Sequence, residues 1–213
     1  MSLLSLINWR REIFSIYNEV RSEEDGIIAW NKWKDKREKL FKFHPESPTF
    51  NPKKQSEFND VPILYSYNEK FSLFSKFELI SNPEIIQLNT DENSITRLKP
   101  FIKTTDLKNF LGIELTVFKI EGYGGGLFLP FTDSGCKSGG EHYEGGRYLI
   151  DTIKGADLGE VKTNELRLDF NFSYNPSCSY NSKWTCPILN DYNSIPIFVD
   201  AGEKKPKNFL MYF

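Results

Sequence analysis

The chain has 213 residues, which suits one domain or one domain with a helical extension. Hydrophobic residues make up 39% and aromatic residues 15%, and the 18 phenylalanines and 10 tyrosines favour β-structure. The 27 basic and 29 acidic residues nearly cancel, so no overall charge favours nucleic acid or an anionic membrane as a partner.

Three cysteines are typical of a reducing compartment, because small secreted domains usually carry a larger and even number. The apolar run at the N-terminus is interrupted by Arg10 and is too short for a signal peptide. No later run has the length that a bilayer span needs. We therefore predict a soluble, cytoplasmic protein.

Two amphipathic helices are predicted near the N-terminus. Apolar residues recur at three- and four-residue intervals over residues 3–21, as on the buried side of a helix. The polar stretch 22–26 interrupts this pattern, and a second helix follows over residues 27–43. We expect these helices to form a segment of residues 1–45 that packs on a β-rich region of residues 46–213, all within one structural domain.

The second helix alternates basic with aromatic residues, a combination that also occurs at RNA and membrane surfaces. Helical spacing gives a simpler account, in which Trp30, Trp33 and Phe41 pack inward and the lysines face solvent. We therefore expect a small molecule, rather than nucleic acid or a membrane, as the partner. The sequence leaves the oligomeric state open.

From residue 61 onwards the pattern changes to short strands separated by glycine, proline and asparagine. No helical pattern separates these strands, so we predict an antiparallel sheet. The fold class is then mainly β (α+β by element count), an antiparallel β-barrel or sandwich with two N-terminal helices. The predicted strands are 61–67, 71–80, 84–89, 113–120, 126–131, 166–172 and 195–199, and a long ordered loop is expected over residues 174–193.

Strand 166–172 has the clearest alternation of apolar and polar residues. Its apolar residues fall on one face (Leu166, Leu168, Phe170 and Phe172) and its polar residues on the other (Arg167, Asp169 and Asn171). We expect the apolar face to be buried and the polar face to lie in solvent, with a polar cavity as the alternative.

The C-terminal third is rich in residues that fix turns and present polar groups. Its most specific segments are Phe131-Thr-Asp133, Tyr143-x-Gly-Gly-Arg147-Tyr148-Leu149, Asp169-Phe-Asn171, Tyr174-Asn-Pro-x-Cys178, Cys186-Pro187, Asn193 and Ala201-Gly-Glu-Lys204. Together they resemble the DUF1684 family of uncharacterised prokaryotic proteins, and a weaker resemblance extends upstream to Trp33. The resemblance implies a soluble domain with a fixed polar motif and no established activity. Cys136 and His142 depart from it, because the family is expected to carry threonine at both positions.

The same motif supplies the candidate ligand-binding residues. Arg147 paired with Asp169 or Glu203 would either lock a loop or receive an anionic group, with the carboxylate orienting it or acting as a general base. The tyrosines and asparagines would add aromatic walls, donors and acceptors. The candidates are Arg147, Tyr148, Asp169, Asn171, Tyr174, Asn175 and Glu203. We predict a polar-aromatic pocket that binds or turns over a small molecule; the alternative is a non-catalytic structural or protein-interaction domain whose motif only locks a long loop.

A third hypothesis is a zinc site formed by Cys136, His142, Cys178 and Cys186. Thiolate and imidazole groups are the ligands that zinc prefers. The spacings Cys136-x5-His142 and Cys178-x7-Cys186 lack the closely spaced cysteine pair of a structural zinc site, so we predict no cofactor. A disulfide between Cys178 and Cys186 is feasible in geometry but disfavoured in the cytoplasm.

Overall fold

The two predicted helices are present as α1 (Ser5–Ser22) and α2 (Gly26–Phe43). The computed structural model describes residues 4–51, 60–91, 94–122, 124–187, 189 and 192–208. Asp25 starts α2 because its carboxylate accepts hydrogen bonds from the backbone N–H groups of Ile27 and Ile28, at 2.9 and 3.0 Å. No helix in these described ranges is long and apolar enough to cross a membrane.

The strands of the described residues form one sheet that curls into a half-barrel, with β5 and β9 as its parallel pair. The strand order is β6-β5-β4-β3-β1-β8-β7, and β2 and β9 pair with β3 and β5. This confirms a mainly β, antiparallel fold with two N-terminal helices. The strands are β1 (Ser72–Leu79), β2 (Ile86–Asp91), β3 (Ser94–Thr104), β4 (Thr116–Glu121), β5 (Gly126–Asp133), β6 (Arg147–Asp151), β7 (Glu160–Lys162), β8 (Glu165–Asp169) and β9 (Ser194–Ile195), and a short helix α3 (Lys108–Leu111) lies between β3 and β4.

Each face of the sheet carries an apolar core. In β5, Phe128 packs into a core shared with α1 and α2, whereas Leu129 packs into the core on the other face. Tyr148 and Leu149 of β6 divide in the same way, because successive side chains of a strand point to opposite faces. The helices therefore cover one face, and the curved sheet closes around the core on the other.

One predicted strand is absent, and two others end early for identifiable reasons. Segment 61–67 is not a strand; it makes an isolated bridge between Leu64 and Glu203, so this prediction was wrong. β8 ends at Asp169, because the Asp169 carboxylate accepts the Asn171 N–H at 3.0 Å and starts a 3-10 turn. β9 stops before Pro196, which has no N–H to continue the pairing.

Three strands, β3, β6 and β7, were not predicted from the sequence. The longest, β3, contains Pro100, and its pairing with β4 shifts register between Pro100 and Ile102. β6 begins with Arg147 and ends with Asp151, both buried. Charged residues inside these strands hide the apolar alternation that identifies a half-buried strand.

The polar face of β8 is enclosed, so the expectation that it faces solvent was wrong. Asp169 and Asn171 are fully buried, and the Arg167 side chain is 12% exposed. The 3-10 turn after Asp169 also redirects the chain, so Phe172 packs in the helix-side core while Phe170 packs in the other.

The segment 174–193 was predicted as a long ordered loop, and residues 188, 190 and 191 lie outside the described part. Its described residues include a 3-10 turn at Ser177–Ser179. Side-chain hydrogen bonds attach it to the fold; among them, the hydroxyl of Tyr148 donates to the carbonyl of Pro187 at 2.7 Å and Asn181 donates to the carbonyl of Pro48 at 3.2 Å.

Candidate functional site

Arg147 is fully buried at the start of β6, and its charge partner is Asp133 of β5. Its Nη2 donates to Asp133 Oδ2 at 2.6 Å and to the carbonyl oxygen of Val199 at 3.0 Å. Its Nη1 donates to the carbonyl oxygens of Ala201 and Glu203. Arg147 therefore joins β5 and β6 to segment 199–203. It contacts the backbone carbonyl of Glu203 and not the Glu203 carboxylate. Its Nε has no hydrogen-bond partner among the described residues.

His142 extends this cluster towards the surface. Its Nδ1 lies 2.6 Å from Asp133 Oδ1, and its Nε2 lies 3.0 Å from the hydroxyl of Tyr65. Burial lowers the pKa of His142, and the charge of Arg147 lowers it further. The hydrogen bond to Asp133 raises this pKa, but the overall shift is downward. The neutral ring therefore donates from Nδ1 to Asp133, and its unprotonated Nε2 faces the Tyr65 hydroxyl, which donates to Glu141 Oε2 at 3.0 Å. Burial alone would raise the pKa of Asp133, but the His142 hydrogen bond and the Arg147 charge lower it overall.

Glu203 forms a second buried cluster with α2. Its carboxylate accepts hydrogen bonds from Arg37 Nε at 2.6 Å, from the Asn175 N–H at 2.7 Å and from the Tyr180 hydroxyl at 2.8 Å. The Arg37 guanidinium also lies over the rings of Trp33, Phe41 and Tyr174. Burial alone would lower the pKa of Arg37, but the charge of Glu203 raises it.

Asp169 and Asn171 form a third cluster, at the end of β8. The Asp169 carboxylate accepts hydrogen bonds from the Ser72 hydroxyl and the Asn171 side-chain amide, both at 2.8 Å. Asn171 in turn accepts from the Asn68 N–H at 2.8 Å. Arg167 Nη2 lies 3.6 Å from Asp169. Burial raises the pKa of Asp169, because these donors offset the lost hydration only in part.

The remaining candidates, Tyr148, Tyr174 and Asn175, lie among these clusters. Tyr148 and Tyr174 pair through their backbones at 2.9 and 3.0 Å, and Tyr174 Oη is 3.4 Å from Asp151 Oδ2. The Asn175 side chain donates to the carbonyl oxygen of Lys204 at 2.7 Å. Burial raises the pKa of both tyrosines, so their hydroxyls stay protonated.

Gly202 explains the Ala-Gly-Glu sequence of the motif. Its φ of +76° is a left-handed conformation, and a Cβ at this position would collide with the side chain and carbonyl of Ser173. This close approach lets the Glu203 N–H donate to the Ser173 carbonyl oxygen at 3.0 Å, which brings the Glu203 carboxylate to Asn175.

The four residues of the zinc hypothesis separate into two pairs. Among the described residues, Cys136 and His142 lie with Asp133 in a group whose ligand atoms are within 4.8 Å of one another. Arg147 Nη2 is only 3.5 Å from His142 Nδ1 and would repel a cation, and Asp133 already neutralises Arg147. Cys178 and Cys186 lie outside this group, with the Cys178 N–H 3.4 Å from Cys186 Sγ.

A cavity of about 360 Å³ lies at the end of the sheet core that faces away from the helices. β1, β3, β5, β6 and β8 all contribute to it, together with residues 157–159. Six of its apolar lining residues are Phe77, Phe101, Ile102, Leu127, Ile150 and Leu166. The polar residues Thr152, Asp157 and Arg167 also line it, and Arg167 Nε is buried without a hydrogen-bond partner among the described residues.

Two buried charged residues of these clusters were not among the sequence candidates. Arg37 was assigned no role from the sequence, although Trp33, Arg37 and Phe41 are spaced by four and so share one helix face. Asp133 belongs to the motif that carries the family resemblance, but the sequence contains no signal that pairs it with Arg147 across a strand pair. His142 was considered only as a metal ligand.

Comparisons with known proteins agree with the resemblance. The model of the family described as "Protein of unknown function (DUF1684)" matches residues 56–204. A solved structure of an uncharacterised protein from Haloarcula marismortui is similar at a TM-score of 0.50 and 25% sequence identity, over 80% of this chain and 89% of the other. The search of curated proteins gives no match. Because the family model covers well over half of the sequence, this chain belongs to the DUF1684 family.

Proposed function

We propose that the protein binds a small, mainly apolar molecule that carries one carbonyl or carboxylate oxygen, in the cavity between β1, β3, β5, β6 and β8. The observation that carries this proposal is the cavity itself. Its volume of about 360 Å³ lies within the range of ligand sites, roughly 300–1,000 Å³. Its apolar lining stabilises a hydrocarbon group by removing it from water.

Arg167 supplies the reason for the acceptor oxygen. Its side chain lines the cavity and carries a positive charge, which would attract a ligand carboxylate. A ligand oxygen placed beside Arg167 would meet this charge. Asp169, a motif residue, lies 3.6 Å from Arg167 Nη2 and would hold the guanidinium in place. The motif thus contributes to binding through the orientation of Arg167.

The other motif residues support a structural role beside this site. Arg147 and Glu203 are fully buried and bonded to several strands and to α2, so a ligand would reach them only after the fold opened. We propose that they hold the half-barrel in the shape that leaves the cavity. In this proposal the protein is a cytoplasmic binding protein, and no side chain is assigned a catalytic role.

The test is titration of the protein with decanoate and with decanol, followed by calorimetry. We expect decanoate to bind the wild type, and Leu127→Trp, which fills the cavity, to abolish binding without loss of folding. Arg167→Met should weaken decanoate by about tenfold or more and affect decanol less, because only the acid depends on a charged donor. Phe43→Trp, on the distant helix surface, is the matched control.

Native mass spectrometry of protein purified without added ligand gives an independent result. A mass difference that disappears on denaturation, and is absent from Leu127→Trp, would support the proposal. Equal binding of decanoate to the wild type and to Leu127→Trp would contradict it, as would no binding of either probe. The non-catalytic structural domain would then be the better account.

A further inference from the structure

Cys178 and Cys186 form a pair of neighbouring thiols in the segment after β8. The Cys186 sulfur accepts the backbone N–H of Cys178 at 3.4 Å, and the thiol of each cysteine shifts the pKa of the other. The hydroxyl of Tyr143 lies 3.8 Å from Cys178 Sγ. Both cysteines are partly exposed, and neither is in a disulfide.

The surroundings favour a thiolate on Cys186. The hydrogen bond from Cys178 lowers the pKa of Cys186 although burial opposes it, and the backbone N–H of Cys178 and the charge of Lys154 lower it further. The same hydrogen bond, with burial, raises the pKa of Cys178. One member of the pair is thus the nucleophile and the other retains its proton.

Cys136 has the opposite environment. Burial and the nearby Asp133 carboxylate raise the pKa of its thiol to about 11. A thiol of this kind is protonated at neutral pH and reacts slowly with oxidants. The chain therefore contains one reactive pair and one internal reference cysteine.

We propose that Cys178 and Cys186 form a reversible disulfide when the protein meets a peroxide. The Cys186 thiolate attacks one peroxide oxygen, the O–O bond breaks, and hydroxide leaves, which gives a sulfenic acid on Cys186. The Cys178 sulfur then attacks the Cys186 sulfur and loses its proton, and the S–O bond breaks with release of water. Two thiols are oxidised by two electrons and one peroxide is reduced to two waters. A dithiol reductant reverses the reaction by thiol–disulfide exchange.

The disulfide would fix a loop that already contacts the buried clusters. Tyr148, which packs in the helix-side core, donates its hydroxyl to the carbonyl oxygen of Pro187 at 2.7 Å, next to Cys186. Tyr180, inside the loop, donates to Glu203 at 2.8 Å. Because a cross-link removes conformations from the unfolded chain, the oxidised protein should melt at a higher temperature than the reduced protein.

The experiment treats the reduced full-length protein with one equivalent of hydrogen peroxide and maps its thiols by mass spectrometry. We expect two of the three thiols to be lost, a mass decrease of two hydrogens, a linked peptide joining Cys178 to Cys186, and an unmodified Cys136. Dithiothreitol should restore all three thiols. This part of the test uses only the wild-type protein.

Cysteine-to-serine variants show which cysteine attacks the peroxide and which one closes the disulfide. Cys178→Ser should leave a sulfenic acid on Cys186 that dimedone captures, whereas Cys186→Ser should react with peroxide at least about tenfold more slowly. Cys136→Ser, the matched control, should behave as the wild type. Oxidation of all three cysteines at equal rates would overturn the proposal, as would disulfide-linked dimers as the main product. None of these outcomes depends on whether the cavity binds a ligand.

Discussion

Two carboxylates of the motif, Asp133 and Asp169, are both buried but differ in how the fold treats their charge. Asp133 accepts hydrogen bonds from Arg147 and His142 at 2.6 Å, and its pKa is lowered, so the fold stabilises its ionised form. Burial raises the pKa of Asp169, whose nearest cation, Arg167, is 3.6 Å away, so ionisation of Asp169 costs stability. The charge of Asp133 therefore stabilises the fold, whereas the charge of Asp169 reduces its stability.

We therefore predict opposite results from the same substitution at these two positions. Asp133→Asn leaves the buried Arg147 without its charge partner and should reduce the free energy of unfolding by about 3–5 kcal/mol. Asp169→Asn removes a charge that is costly to bury, and its amide can donate to the Ser72 hydroxyl, so the change should stay within about 1 kcal/mol. Urea denaturation measures both. A larger loss for Asp169→Asn than for Asp133→Asn would contradict this account.

At the scale of elements, α2 is joined to the C-terminal motif by a buried ion pair. Arg37 lies between Trp33 and Phe41 on the inward face and bonds Glu203 at 2.6 Å. The sequence pattern predicted α2 and the inward side of its tryptophans, because helical periodicity is local. The pairing of Arg37 with Glu203 joins residues 166 positions apart, and no local pattern contains it.

Removal of Arg37 tests this connection. Arg37→Leu leaves the Glu203 carboxylate buried and unpaired, and it should lower the free energy of unfolding by about 3–5 kcal/mol. Lys39→Leu, on the exposed side of the same helix, should change it by no more than about 0.5 kcal/mol. Adding Glu203→Gln to Arg37→Leu should recover part of the loss, since the uncompensated charge is gone. Equal effects of Arg37→Leu and Lys39→Leu would refute the ion pair as a stabilising contact.

At the scale of the whole molecule, the helices and the sheet share one core. Residues of α1 and α2 pack in the same apolar cluster as Leu98, Phe118 and Phe128 of the sheet. We therefore propose that residues 1–45 and 46–213 differ in sequence pattern but are not independently stable units. We expect the segment and the β-rich region to unfold together.

The two histidines contribute to the pH dependence of global unfolding. The pKa values of His142 and His44 are both lowered, chiefly by burial, so the unfolded chain binds more protons than the folded one as the pH falls below about 6.5. The contribution of the two histidines to stability is complete above that pH and falls below it, by at most about 1.4 kcal/mol per pH unit for each proton. Thermal unfolding between pH 5 and 8 measures this slope. His142→Gln should flatten it more than His44→Gln, because His142 is the more deeply buried; an unchanged slope in His142→Gln would contradict the neutral, buried ring.

The sequence by itself determined the helices, most strands, the fold class and the family, because helical and strand periodicity and turn-forming residues act over a few neighbours. The tertiary structure alone decided that the polar face of β8 is enclosed, that Arg147 pairs with Asp133, and that Cys178 lies beside Cys186 and away from Cys136. Each of these depends on how distant segments meet across the curved sheet, and burial there sets the charge state and reactivity of the same side chains. The pKa of a buried group and the reactivity of a thiol depend on the atoms around it. They therefore follow from the tertiary structure and not from the residue type alone.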